Sequence, residues 1–295
     1  VTGINGAAAQ SSTEAAGTAA AGTTAAGRTP TAGPRQLKTE LVGGGKHRLV
    51  FLHGLMGRGR NFFETATSLS DIATSLLVDQ TNHAASPWTA EFSYADMADD
   101  VADAIRTAFG AGEKVIVIGH SMGGKTAMQL ALQHPELVHA LVVVDISPVP
   151  RPDAGVFPDL LGSLLELDLN AIRSRTDADR LLRDKIPDER TRAFLLQSLI
   201  RGDGGFCWEP NLPLLHASLQ TIMGFAPPVG ASFNGPVLWI AGGNSDYVRP
   251  GDLPRMQELF PDVYPVVVDD ASHWVHADKP EQFQALLREF ITSDC

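Results

Sequence analysis

Gly119-His120-Ser121-Met122-Gly123 follows the apolar run Val115 to Ile118 and opens an amphipathic stretch, Met122 to His134, that stops at Pro135. A serine between glycines at a strand-to-helix turn is the pattern of an exposed nucleophile. The sharp turn strains the serine backbone, and the glycines remove Cβ atoms that would clash where helix meets strand. A serine hydroxyl is a weak nucleophile by itself, so it needs a base, and the base needs an acid to hold its tautomer. His273, in Asp270-Ala271-Ser272-His273-Trp274 after the last strand-like run, is the expected base. Of the nine histidines, His47, His134, His139 and His216 read as residues of turns or helix faces, and His276 as a support of the His273 loop. Two acids satisfy the chain order serine, acid, histidine. Asp145 ends the run Leu141 to Val144, and Asp246 lies in Gly242-Gly243-Asn244-Ser245-Asp246-Tyr247-Val248. An acid in the slot three residues before a valine would be expected, but Ser245 occupies that slot and Asp246 falls one residue late.

Acyl chemistry at Ser121 would also need donors aimed at a developing oxyanion. Phe51-Leu52-His53-Gly54-Leu55-Met56-Gly57 is a glycine-rich turn after a second apolar strand. The amide of Leu55, together with that of Met122, is the expected oxyanion hole. His53 is expected beside the pocket as a packed loop histidine. A rival pattern overlaps the same residues: Gly119 to Thr126 also fits GxxxxGK[ST], and Leu141 to Asp145 resembles a magnesium-holding strand. Several strands and another glycine-rich turn precede it, whereas a phosphate-binding loop usually follows the first strand of its domain. That pattern also leaves His273 and the turn at His53 without a use.

The elements that must carry these residues alternate in type. Leu37 to Val42, the glycines 43 to 45 and Arg48 to Leu52 read as a two-stranded hairpin. Further apolar runs lie at Ser75 to Val78, Val115 to Ile118, Leu141 to Val144, Val237 to Ile240 and Pro265 to Val268, with helical spacing between several of them. Nearly all-apolar strands separated by helices predict a mostly parallel sheet buried on both faces. Between Pro148 and Gly235 the alternation stops. Helical faces such as Phe194, Leu195, Leu196, Leu199 and Ile200, or Leu212, Leu215, Leu219, Ile222 and Met223, predict an inserted helical cap. Trp208, Phe225 and Tyr247 are expected to wall the pocket.

Composition narrows the function classes. A net charge of -11 argues against a nucleic-acid surface. No run reaches the ~18 apolar residues of a membrane span. Cys207 and Cys295 cannot build a disulfide framework or a CxxC metal site, which favours an intracellular, reducing compartment. His273-x-x-His276 lacks the further ligands of a metal site, so none is expected. Residues 1–34, of which 26 are Ala, Gly, Ser or Thr, are expected to be a disordered tail. It starts at Val, is acid-poor and is rich in Ser and Thr, as a trimmed transit peptide would be, so an organelle, mitochondrial or other, is one expected address and the cytoplasm the alternative.

FLHGLMG (Phe51 to Gly57), VIGHSMGGKTAM (Val117 to Met128), LVVVDISPVP (Leu141 to Pro150), WIAGGNSDYV (Trp239 to Val248) and SHWVHADKP (Ser272 to Pro280) together resemble the α/β-hydrolase superfamily. More narrowly, they resemble the esterases of the alpha/beta-hydrolase domain-containing protein eleven group and their YbfF-type relatives. The resemblance implies an α/β-hydrolase fold, a mostly parallel central sheet flanked by helices with a helical cap inserted after the sixth strand. It implies a core over 35–149 and 235–295, a cap over 150–234, and hydrolysis of small-molecule carboxylic esters or acyl thioesters without a cofactor. It also implies Asp145 as the acid, assisted by Ser245, with Asp246 the alternative, and it assigns Lys125 and Thr126 to the family's own helix. The chain departs from the family at Thr81 (usually Arg), Ala84 (usually Gly) and Ser272 (usually Gly). A catalytically silent binding protein on the same fold and a nucleotide hydrolase are the competing functions.

Overall fold

Seven of the chain's strands join one sheet, and alternate apolar residues of its central strands divide between its two faces, apart from a register shift at the start of β4 and β5. The computed structural model describes residues 28–31, 33, 35–151, 155–202 and 204–293. The strands are β1 (Thr39–Gly43), β2 (His47–Leu52), β3 (Ala73–Val78), β4 (Val115–His120), β5 (Val138–Val144), β6 (Leu199–Gly202), β7 (Gly205–Trp208), β8 (Val237–Gly242) and β9 (Val263–Val268). The main sheet runs β1-β3-β2-β4-β5-β8-β9. Only β1 is antiparallel to its neighbour; the other pairs are parallel.

Val50, Leu52, Val117, Leu141, Val143 and Trp239 pack toward one face, where the helices Tyr94–Phe109 and Met122–Gln133 lie. Leu49, Phe51, Ile116, Ile118, Val142 and Ile240 pack toward the other, under the helix Pro280–Ser293. Such two-sided burial is why these strands read as unbroken apolar runs. The first of the helices is started by Ser93, whose hydroxyl accepts the Asp96 amide at 3.2 Å. Strand order reverses between β2 and β4, since β3 lies on one side of β2 and β4 on the other. In open parallel sheets a crevice forms at such a switch, outside the carboxyl ends of the strands. His53 and Ser121 leave their strands at this point.

Four expectations need correction. The hairpin of Leu37–Val42 with Arg48–Leu52 does not form, because β3 lies between β1 and β2 and pairs with both. The glycines turn over the start of β3: a Cβ on Gly45 would stand 2.0 Å from the Ile72 carbonyl carbon. The cap follows the fifth strand, not the sixth, since among the described residues no strand of the sheet precedes β1. The cap is not wholly helical either. Leu199 and Ile200, read as part of a helix face, belong to β6, which pairs with β7 in a separate two-stranded sheet. Most of the expected tail lies outside the described residues, but Arg28 is anchored. Its guanidinium donates to the carbonyls of Ala84 (2.7 Å) and Ser86 (2.6 Å) and lies over the Trp88 ring.

Candidate active site

Ser121 follows β4 directly and caps the next helix with φ +54° and ψ -121°, in the left-handed half of backbone space that costs a residue with a side chain. The turn closes because its neighbours lack side chains. A Cβ on Gly119 would stand 2.3 Å from the Gly123 carbonyl oxygen, and one on Gly123 would stand 2.3 Å from that of Leu52. Asp145 leaves β5 in a similar conformation, φ +50°, with its amide donating to Ile240 at 2.7 Å. These two strained residues end adjacent strands, so their side chains rise on the same edge of the sheet.

The Asp145 carboxylate is fully buried, and its acceptor capacity is taken up by specific donors. Oδ1 accepts the Gly242 amide at 2.9 Å; Oδ2 accepts the Ser245 hydroxyl and, at 2.7 Å, Nδ1 of His273. With Nδ1 donating, Nε2 is the free lone pair of the ring, and Ser121 Oγ lies 2.9 Å from it. Ser121, His273, Asp145 and Ser245 therefore form one hydrogen-bonded chain. The His273 ring stacks on Tyr247 with centroids 4.1 Å apart. Its carbonyl accepts Nε2–H of His120 at 2.8 Å, while the Asp278 carboxylate accepts both the amide (2.8 Å) and the hydroxyl of the preceding Ser272. Asp246 is exposed and makes no contact with the histidine; its backbone carbonyl accepts from Arg249. The one-residue offset seen in the sequence turns Asp246 out to solvent.

Leu55 and Met122 are buried beside Ser121. Met122 opens its helix, so its amide is one of the first-turn donors that have no partner within the helix. Gly54 lets the Leu55 loop approach: a Cβ there would already be 3.0 Å from the His120 ring. His53 is locked in place, with Nδ1 donating to the Gly54 carbonyl at 2.8 Å and Nε2 accepting the Gln80 amide at 3.0 Å. Burial lowers its pKa to about 4, so it is neutral and structural at ordinary pH. The neighbouring His83 is lowered further, to about 3, by the same cause.

A cleft of about 510 Å³ opens beside Ser121 between the histidine loop, the His53 turn and the cap. His53 and His273 line it; Tyr247 instead walls a much smaller space on the other side of the serine. Trp208 and Phe225 line neither. Trp208 is buried inside the cap with Nε1 donating to the Leu164 carbonyl at 3.1 Å, and Phe225 packs into the core beneath the sheet. A large aromatic fills a core as readily as it walls a pocket, and these two fill cores.

Lys125 settles the overlapping phosphate-loop pattern. Its side chain is 1% exposed, and its ammonium donates to the carbonyls of Ile222 (2.9 Å), Met223 (2.8 Å) and Gly224 (2.9 Å) at the end of the cap's last helix. It is committed to the protein itself, and burial lowers its pKa to about 7. Arg190, Gln197 and Phe194 of the cap reach the cleft, as do Asn61 and Gln284 of the core. Nothing in the sequence singled out the polar members of this set, which look like solvated faces when read along one helix. At Thr81, where the resemblance has arginine, the hydroxyl bonds Asp100 at 2.5 Å, and Arg35 pairs with the same carboxylate. Ala84 holds φ +44°, which explains why glycine is usual there. Among the described residues no cluster of three His, Cys, Asp or Glu is placed to hold a metal ion, and no helix is long and apolar enough to cross a membrane.

Comparison with known proteins gives a consistent set of relatives. The family described as alpha/beta hydrolase fold matches residues 47–280. The chain is 39% identical over 249 residues to the Mus musculus sn-1-specific diacylglycerol lipase ABHD11, covering 82% of this chain and 80% of that protein. It is 30% identical over 247 residues to the Escherichia coli esterase YbfF, covering 82% and 92%. Among solved structures, a marine microorganism esterase superposes with a TM-score of 0.83 at 32% identity, over 87% of this chain and 99% of that one.

Proposed function

The chain belongs to the α/β-hydrolase family, and from that premise we propose that it is a serine hydrolase of carboxylic esters, working through an acyl-enzyme on Ser121. Its relatives are lipases and esterases. The observation that carries the mechanism is the unbroken relay from Ser121 Oγ through His273 to Asp145, at 2.9 and 2.7 Å.

In this mechanism His273 Nε2 takes the hydroxyl proton as Ser121 Oγ attacks the ester carbonyl. Asp145 holds the ring tautomer and stabilises the imidazolium; Ser245 and the Gly242 amide keep the carboxylate oriented. The amides of Leu55 and Met122 receive the oxyanion, as fixed dipoles that need no reorganisation. His273 then hands its proton to the leaving oxygen as the carbonyl carbon–oxygen bond breaks. Water attacks the acyl-enzyme by the same route, its proton passing through His273 back to Ser121 as the acid leaves. Acyl thioesters present the same carbonyl and would follow the same path. A reducing intracellular compartment, mitochondrial or cytoplasmic, suits a chain whose Cys207 is a free buried thiol.

Treatment with a fluorophosphonate followed by peptide mass spectrometry tests the proposal. The label is expected on Ser121, absent in Ser121→Ala and sharply reduced in His273→Ala. A folded protein that takes no label and hydrolyses no ester would overturn it in favour of a binding protein on the same fold.

A further inference from the structure

Two spaces meet at Ser121, and they differ greatly in size. The larger is the cleft of about 510 Å³. The smaller has a free volume of about 10 Å³ and is walled by Leu55, Met122, Ile146, Phe157, Ile222 and Met223. An ester attacked at Ser121 must place its acyl substituent in one and its leaving group in the other. The catalytic proton decides between them: His273 Nε2 must reach the leaving oxygen, so the leaving group lies on the histidine's side. His273, Trp274 and His276 line the large cleft and not the small one.

We infer that this chain is selective for short acyl groups, of acetyl size, carried on bulky leaving groups with polar substituents. The inference rests on the proposed serine mechanism and specifies its substrate. Its free space is about fifty times smaller than that of the cleft, which suits a short acyl group and not a chain. The wall is also held from behind. Lys125 Nζ grips the carbonyls of Ile222, Met223 and Gly224, and the Tyr94 hydroxyl donates to Ile222 at 2.8 Å, so the two side chains facing the acyl group stand on a fixed backbone. The large cleft, in contrast, offers Asn61, Arg190, Gln197 and Gln284. The bonds exchanged are those of the general mechanism: Ser121 Oγ to acyl carbon forms, acyl carbon to leaving oxygen breaks, and the leaving oxygen keeps the proton from His273.

Two substrate series on the full chain test this, with Ser121 labelling as the separate check on the mechanism. Across p-nitrophenyl acetate, butyrate and octanoate, kcat/KM is expected to fall by about 100-fold or more, as a wall that rejects methylenes requires. Met223→Ala, which trims the wall and leaves the backbone carbonyl for Lys125, is expected to raise octanoate relative to acetate by about tenfold. With the acyl group held at acetyl, triacetin is expected to exceed ethyl acetate in kcat/KM by about tenfold, through contacts of the larger leaving group. A wild-type enzyme that labels on Ser121 yet hydrolyses octanoate as well as acetate overturns the acyl half, whatever the variant does. Equal rates on triacetin and ethyl acetate overturn the leaving-group half. Failure of both labelling and hydrolysis strikes the serine mechanism instead.

Discussion

The hydrolase core and the cap bury comparable apolar clusters but hold their functional residues by different means. In the core, Ser121 and Asp145 sit at the ends of adjacent parallel strands with strained backbones, and glycines let three chain segments approach within contact. A side chain at Gly119 or Gly123 would clash with backbone. The cap is a set of short helices and one small hairpin around its own apolar cluster, which also takes in Leu55 and Met122 of the core. Polar contacts across the junction hold it to the core, among them Lys125 to the carbonyls at Ile222 to Gly224, Ser198 to the Met56 carbonyl at 2.9 Å, Asn211 to Asn82 at 3.1 Å and Arg190 to Asp278 at 2.7 Å. The contrast teaches a division of labour. In the proposed mechanism the fixed geometry at the strand ends makes and breaks the bonds, and the cap, packed on the core through its own cluster and the junction contacts, borders the cleft that leads to them.

The largest effect that would sharpen this contrast is at the acid. Asp145→Asn should leave the protein folded and lower kcat by about 10⁴-fold through the wrong histidine tautomer. Asp246→Asn should change kcat by less than about twofold, as expected of an exposed residue outside the relay. Comparable losses in the two variants, measured on p-nitrophenyl acetate, would break the assignment.

Next come the glycines. Gly123→Ala would force a Cβ to 2.3 Å from the Leu52 carbonyl and 2.5 Å from that of His53, and should destabilise the fold by about 3 kcal/mol or more. Thermal unfolding measures the loss.

The core's buried histidines should make it acid-labile. His53 and His83 are fully buried, and burial lowers their pKa values from 6.5 to about 4 and about 3. The unfolded chain therefore binds more protons than the folded one as pH drops below 6.5. Stability is lost between pH 6.5 and about 3 to 4, by about 3 kcal/mol for His53 and about 5 kcal/mol for His83, and levels off below. A Tm that stays flat from pH 7 to 4 would contradict this; His83→Gln should flatten part of the slope.

At the junction of the two regions, Lys125→Met leaves three buried carbonyls without their donor and should cost about 2 kcal/mol. Hydrogen exchange should show the loss concentrated in the cap's last helix, Leu219–Met223, with the sheet little changed. The smallest effect is in the cap itself. A Cβ on Gly162, within the helix Phe157–Leu165, would meet nothing nearer than 3.8 Å, so Gly162→Ala should stabilise by about 0.5 kcal/mol. A loss there as large as that of Gly123→Ala would erase the distinction between the regions.

Much of the catalytic set could be read along the chain because its requirements are local. Ser121 needs a strand, a tight turn and a helix in immediate succession, and Gly119, Gly123 and the apolar run before them state all three. His273 and the His53-Gly54-Leu55 turn are likewise segments whose neighbours define them. The acid was open to the residue-by-residue reading, since Asp145 and Asp246 both satisfy chain order; resemblance favoured Asp145, and the geometry places it on the histidine. Strand partners were not legible. Period-two burial says that Leu37 to Val42 is extended, but not that β3 inserts between it and β2. The pocket walls failed for a related reason: Trp208 and Phe225 are the right kind of residue, but which surface a large aromatic covers depends on contacts far along the chain.

The sequence by itself determined the parts whose causes lie within a few residues: the nucleophile turn, the histidine loop, the two-sided strands and the presence of an insertion. Only the tertiary structure decided that Asp145 meets His273 across 128 residues, that Lys125 grips the cap and not a phosphate, and that the spaces on either side of Ser121 are so unequal. Backbone sterics and burial act on neighbours and leave a pattern in the order of residues. The width of a cavity is set where distant segments pack together, and no local pattern records it.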